Sequence, residues 1–190
     1  MSKLVTLFRD GGGDAALKVK AGDGAMGRGP ASFIDLGSGA GRPVFAAAMS
    51  YPFAKATGVE LVADLHSLAD RLGMYYSKLF RPKFGAAWVE QKLEFVNGDL
   101  LEHDWTSYDI VFCHCTCFGE GLLAQFAKKC EKLAPGTLVV VVSHLLRSNL
   151  FEMVHTAPYV MTWGEGTVYI YRRKALPKWI GGLSIGGKRL

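Results

Sequence analysis

At 190 residues, 49% hydrophobic and 21% charged, the chain has length for one domain with a full core and is too apolar for extended disorder away from its ends. Its longest aliphatic run, Leu138 to Val142, falls far short of the ~20 residues of a membrane span, and the apolar stretch from Leu4 to Phe8 is too brief for a secretory signal, so an intracellular protein without membrane contact is expected. The net charge of +5 is unevenly placed: Arg172 to Leu190 holds six basic residues and no acid, which fits either weak contact with a polyanion such as nucleic acid or a solvated end.

Residues 1–31 read as a glycine-rich lead-in, with seven glycines in the first thirty positions. Phe33, Ile34 and Asp35 then read as the end of a buried strand. Gly37, Gly39 and Gly41 turn the backbone, and a helix opens with Pro43 in its first turn and runs from Arg42 to Ser50. A second strand, Lys55 to Leu61, carries Glu60 near its end. Leu65, Leu68, Leu72, Tyr75, Tyr76 and Leu79 recur at helical spacing and predict a long second helix that ends before Pro82, with Tyr75 and Tyr76 in core or surface packing rather than chemistry.

Leu93 to Asn97 is a third strand, closed by Gly98, Asp99 and Leu100. Tyr108 to His114 is a fourth. Leu122, Leu123, Phe126, Cys130 and Leu133 mark a helix stopped by Ala134-Pro135-Gly136, and Thr137 to Ser143 is apolar enough for the middle of a parallel sheet. Beyond it, Phe151 to Val154 and Tyr159 to Trp163 read as extended, Gly164 to Gly166 as a loop, and Thr167 to Tyr171 as a returning strand. The predicted fold class is α/β: a Rossmann-like, mostly parallel sheet over residues 32–173 that ends in an antiparallel hairpin strand, followed by a basic tail over 174–190.

The glycine spacing narrows the chemistry. A dinucleotide turn of the form G-x-G-x-x-G would need its third glycine at Arg42, so a nicotinamide oxidoreductase is disfavoured, as it is by the terminal hairpin. The observed G-x-G-x-G, with Asp35 two residues before it and Glu60 nineteen residues after Gly41, resembles motif I of class I S-adenosylmethionine-dependent methyltransferases. The competing reading is a tight strand-to-helix turn with no ligand. The resemblance implies S-adenosyl-L-methionine as cofactor, with Asp35 toward the methionine amino group, Glu60 on the ribose hydroxyls, Asp99 on the adenine amino group and Leu100 against the ring. Each of the partners is a donor, which suits a carboxylate. For Asp99 an Asx-type turn after the strand is the alternative.

Four cysteines, Cys113, Cys115, Cys117 and Cys130, contain no C-x-x-C and no disulfide framework, which points to a reducing compartment. A zinc site from Cys113, His114, Cys115 and Cys117 is opposed by strand alternation, which sends neighbours to opposite faces, and no metal is expected.

The segments DLGSGAG, GVE, NGDLLEHDW, CTCFGEGLLAQFAKKCEKLAPGT and VMTWGEGTVYIYRR, in that order, resemble the non-SET histone-lysine methyltransferases of the disruptor-of-telomeric-silencing type over roughly Ser32 to Arg173. The resemblance implies cofactor contacts from Asp35, Gly37, Gly39, Arg42, Glu60, Asp99 and Leu100, together with Ser38 and Gly41 of the same turn. It places His114 and Cys115 beside the acceptor nitrogen, where the family has an asparagine followed by Asn or Ser. Phe118 and Trp163 would wall the acceptor channel, Trp163 being open equally to plain packing.

The implied substrate is a protein lysine, with a histone or nucleosome as partner and the nucleus as location. Two features depart from the family: His114 replaces the asparagine, as an acceptor, a base or a residue satisfied by its neighbours, and some thirty glycine-rich residues stand where histone-directed members have a helical lobe. Another protein or a small molecule as acceptor, or a methyltransferase fold kept as a non-catalytic binding module, are the alternatives.

Overall fold

The computed structural model describes residues 31–161 and 164–175. Seven strands form a single sheet in the order β3-β2-β1-β4-β5-β7-β6. The elements in chain order are β1 (Ser32–Leu36), α1 (Arg42–Ser50), β2 (Lys55–Glu60), α2 (Ala63–Tyr75), a one-turn α3 (Ala86–Val89), β3 (Lys92–Asn97), β4 (Ile110–Cys113), α4 (Glu120–Cys130), β5 (Leu138–Val142), β6 (Phe151–Met161) and β7 (Gly164–Arg173). The first five strands pair in parallel, and β7 enters antiparallel between β5 and β6. This is the predicted α/β sheet with its reversed end.

Strand alternation divides the core into two layers. Phe33, Ile110, Phe112, Val140 and Val142 face one side and pack with Val44, Ala47 and Ala48 of α1. Ile34, Leu36, Val111, Val139 and Val141 face the other and pack with Phe126 and Cys130 of α4 and with Trp105. β5, of sequence LVVVV, is buried throughout and so occupies the interior of the sheet, each valine contributing about 1.5–3 kcal/mol relative to an exposed position.

One expectation is corrected. The helical run does not stop before Pro82: α2 passes into a π turn, Tyr76–Phe80, and a 3-10 turn, Arg81–Lys83, with the proline in the first positions of the last turn, where its missing N–H costs little. The leucine stripe does not face the sheet. Leu65, Leu68 and Leu72 are 40%, 37% and 40% exposed and Tyr75 is 61% exposed, while Ala69, Gly73 and Tyr76 are buried. The Phe95 ring fills the space under the helix, so that a Cβ on Gly73 would lie 3.0 Å from it, and only small residues fit there. Tyr76 is a core residue whose hydroxyl donates to Gln91 Oε1 at 3.0 Å.

The hairpin differs from expectation as well. β6 is one strand of 11 residues with a register shift between Met153 and His155. Met161 pairs with Gly164, Val160 with Glu165 and Tyr159 with Gly166, so the residues read as a loop belong to β7. The lead-in up to residue 30, Trp163 and the tail beyond Ala175 lie outside the described residues. Among the described residues, no helix is long and apolar enough to cross a membrane.

Candidate active site

The chain leaves β1 in one direction to reach β2 and in the other to reach β4, so the sheet has a topological switch beside β1. In open α/β sheets the crevice at the carboxyl ends of the strands at such a point is where ligands sit. The glycine turn lies there, and its three glycines have φ of 80°, 54° and 81°. The amides of Gly37 and Ser38 both donate to the Val59 carbonyl, at 2.9 and 3.0 Å.

The three glycines do different work. A Cβ on Gly39 would meet nothing within 4 Å, and one on Gly37 would meet only Phe118, at 4.0 Å, so these two keep the crevice floor open. A Cβ on Gly41 would lie 2.6 Å from the Phe95 ring and 3.0 Å from Phe45. Gly41, the N-cap residue of α1, is therefore buried to let the helix approach β3, while Arg42 beside it is exposed at the mouth of the turn.

Glu60, at the end of β2, supports this floor. One carboxylate oxygen accepts the Gly39 amide at 2.7 Å and the other accepts the Val62 amide at 2.8 Å. Each oxygen keeps a further lone pair for a hydroxyl donor. The Asn97 side chain, which sequence reasoning passed over, donates to the carbonyls of Glu60 and Leu61 at 2.8 and 3.1 Å and ties the tips of β2 and β3 together.

Asp35 is 1% exposed and neither of its carboxylate oxygens has a protein partner. Burial first, and then the Glu60 charge, hold its carboxyl well above the usual carboxylate range. The Ser38 hydroxyl, also buried, has no partner either. Buried polar groups without partners cost free energy and mark a site completed by something else. A carboxylate of this kind suits an ammonium.

Asp99 forms the Asx turn anticipated for it: Oδ1 accepts the Leu101 amide at 2.7 Å. The turn and a ligand contact are compatible, because Oδ2 remains for a donor. Leu100 follows, 9% exposed, on the wall of the same loop.

At the end of β4, His114 is half-buried and burial lowers its pKa from the ordinary imidazole value, so the ring is neutral at physiological pH. Phe118 stands over Gly37, so the segment after β4 does meet the glycine turn. Cys115 does not reach the crevice: it is 1% exposed, packs in the core, and its thiol donates to the Cys113 carbonyl at 3.3 Å. The Thr116 hydroxyl shares a 2.8 Å hydrogen bond with the hydroxyl of Ser143, the residue after β5. Ser143 holds a left-handed φ of 72° as a non-glycine residue, and no signal in the sequence marked it. All four cysteines are free, and among the described residues no His, Cys, Asp and Glu cluster is arranged to hold a metal ion.

Comparison with known proteins bears on the family and the fold. Residues 28–159 match the family described as histone methylation protein DOT1. A histone-lysine N-methyltransferase, H3 lysine-79 specific, from Drosophila melanogaster is 33% identical over 113 residues, which is 57% of this chain and 6% of that protein. Its namesake from Dictyostelium discoideum is 30% identical over 119 residues, 60% of this chain and again 6% of the relative. The chain thus spans about 6% of the length of these relatives. An RNA methyltransferase from Salinibacter ruber, solved with S-adenosyl-L-homocysteine, superposes with a TM-score of 0.58 at 24% identity, covering 86% of this chain and 91% of its own. A putative methyltransferase from Escherichia coli gives 0.60 at 20% identity, covering 77% and 78%. At these identities the solved structures show the fold.

Proposed function

The chain belongs to the histone methylation protein DOT1 family, and from that membership we propose that it is an S-adenosylmethionine-dependent methyltransferase whose acceptor is a protein lysine, with a nucleosomal histone as substrate. Asp35 carries the reading. A carboxylate 1% exposed and without a protein partner, beside an open glycine turn, needs a cation to complete it. The relatives named for histone H3 lysine-79 methylation support a histone lysine as the acceptor.

The residues fit the cofactor. Asp35 would take its amino-acid ammonium, the free lone pairs of Glu60 its ribose hydroxyls, Oδ2 of Asp99 its adenine amino group, and Leu100 the face of the ring. Gly37 and Gly39 leave the floor clear for it, and Ser38 and Arg42 border the turn. When bound, the cofactor supplies a methyl group on a positively charged sulfur, which makes that methyl electrophilic.

The chain's own residues then have to align an acceptor nitrogen and keep water away. Phe118 walls the crevice over Gly37. His114, neutral through burial, presents a ring that orients the acceptor by hydrogen bonding. It is a poor base for a lysine ammonium. A lysine near 10.4 and an imidazole below 6.5 differ by at least roughly 4 pKa units, an uphill transfer of about 5 kcal/mol. The imidazole is therefore not the group that takes the proton from the acceptor ammonium.

A histone substrate implies a nuclear location, and the basic tail over 174–190 adds weak contact with nucleic acid; Arg173 takes no part in it, being 6% exposed and hydrogen-bonded to the carbonyls of Leu150, Lys174 and Glu131. The test is transfer of a labelled methyl group onto nucleosomes, free histones and a cell extract, with identification of the marked residue. A histone lysine is expected. Label on another protein or a small molecule moves the acceptor there, and absence of S-adenosylmethionine binding in titration calorimetry leaves only a binding scaffold.

A further inference from the structure

We propose that Lys129 is a positioning residue for adenine recognition: its ammonium holds the carbonyls of the loop after β3 so that Asp99 and Leu100 are presented to the base. The proposal rests on the cofactor reading above. Lys129, near the end of α4, sends its Nζ to the carbonyls of Leu100, Leu101 and His103 at 3.2, 2.6 and 2.6 Å. An ammonium has three donors, and all three are used.

The consequence follows from the planarity of the peptide unit, in which C=O and N–H point in opposite directions. The carbonyl of Leu100 and the amide of Leu101 belong to one peptide. Lys129 holds the carbonyl, and the amide, directed to the other side, donates to Asp99 Oδ1 at 2.7 Å. The next peptide repeats the arrangement: Lys129 takes the Leu101 carbonyl, and the Glu102 amide donates to the Asp99 main-chain carbonyl at 3.0 Å. Two successive peptides are thus clamped between a cation on one side and Asp99 on the other. The rotation of the Asp99 carboxylate, and with it the direction of Oδ2, is fixed by this clamp.

Trp105 reinforces it from beneath. Fully buried, it donates its indole N–H to the Leu100 carbonyl at 2.7 Å, and Lys129 Nζ lies 5.3 Å from its ring centroid. Without the ammonium, the Leu101 and His103 carbonyls converge with no donor between them, while Leu100 keeps the Trp105 N–H, and the Leu101–Glu102 peptide relieves the repulsion by turning. The Glu102 amide then leaves the Asp99 carbonyl, and Asp99 loses its fixed direction.

The experiment measures binding of S-adenosylhomocysteine and of S-inosylhomocysteine, which has an oxo group where adenine has its amino group, to the full chain and its variants. The wild type is expected to prefer the adenine ligand by about tenfold or more. Lys129→Met should lose about tenfold in affinity for the adenine ligand while keeping its affinity for the inosine ligand, and should raise the KM for cofactor without changing kcat. Lys128→Met, an exposed neighbour, should keep the wild-type preference. Where Lys129→Met does not fold, Lys129→Arg is read the same way, since its planar fork cannot meet the three carbonyls as a point cation does.

A variant that keeps the preference, or that weakens both ligands equally, overturns the positioning role. So does failure of both Lys129 variants to fold, which would reduce the residue to stability alone. A wild type that binds neither ligand is a different failure: it removes the cofactor reading itself.

Discussion

The amide of Gly39 donates to the Glu60 carboxylate across 2.7 Å, so that the apex of the glycine turn hangs from the tip of the neighbouring strand. The other oxygen of Glu60 is taken by Val62 at 2.8 Å, at the entry to α2. Glu60→Gln preserves size but turns an NH2 toward one of these two donors. It is expected to cost about 1–3 kcal/mol of folding stability, read by urea denaturation, and to weaken cofactor binding as well. An unchanged denaturation midpoint would remove the tie between the two strands.

Asp35 makes cofactor binding depend on pH. Its pKa in the folded protein lies above that of the unfolded chain, through burial and then the Glu60 charge. Asp35 therefore weakens the free protein progressively as pH rises from the ordinary carboxylate value through its raised folded value. An ammonium at this carboxylate favours the ionised form, so binding releases a proton in that window and affinity rises with pH. Calorimetry in two buffers of different ionisation enthalpy should report the release. Asp35→Asn should abolish it, reduce affinity at least tenfold, and leave the free protein as stable as before or more so.

The glycines at 39 and 41 should separate binding from folding. Gly41→Ala places a Cβ 2.6 Å from Phe95 at φ of 81°, and the strain and overpacking together should cost about 2–4 kcal/mol of stability. Gly39→Ala carries only the backbone cost of about 1–2 kcal/mol, since its Cβ meets nothing within 4 Å. Its loss should instead appear in cofactor affinity, by tenfold or more. Equal losses of stability in the two variants would contradict the division.

At the end of β4, His114→Asn should retain or raise turnover. Because burial lowers the imidazole pKa, the wild-type rate should show no step from this group as pH rises from neutrality, and the variant should follow the same profile. A rate step that disappears with the substitution would assign the imidazole a proton-transfer role. Cys115→Ala, in contrast, should lower stability by about 1 kcal/mol through a small core cavity while leaving transfer intact.

The parallel sheet, the helix opening at Arg42 and the three glycines were legible in the sequence because each is a local pattern: apolar runs, a turn that requires positive φ, and a proline suited to a first helical turn. The orientation of α2 was not. Leucines at helical spacing announce a helix, but which face turns inward depends on Phe95, a residue of another strand that leaves room for no side chain at Gly73. Cys115 departs from what the resemblance implies because the chain leaves β4 through a 3-10 turn, Cys115–Cys117, that turns its side chain into the core. The tie from Asn97 and the clamp by Lys129 join residues more than 25 positions apart and have no local signature.

The order in which the sheet is completed has a consequence for synthesis. β7 fills the slot between β5 and β6, although among the described residues it is the last strand to be synthesised. Until Arg173 has emerged, the valine-rich strand from Leu138 to Val142 presents an open hydrogen-bonding edge, which is a template for joining another nascent chain. A premature stop anywhere in β7 should therefore yield insoluble protein rather than a shortened enzyme.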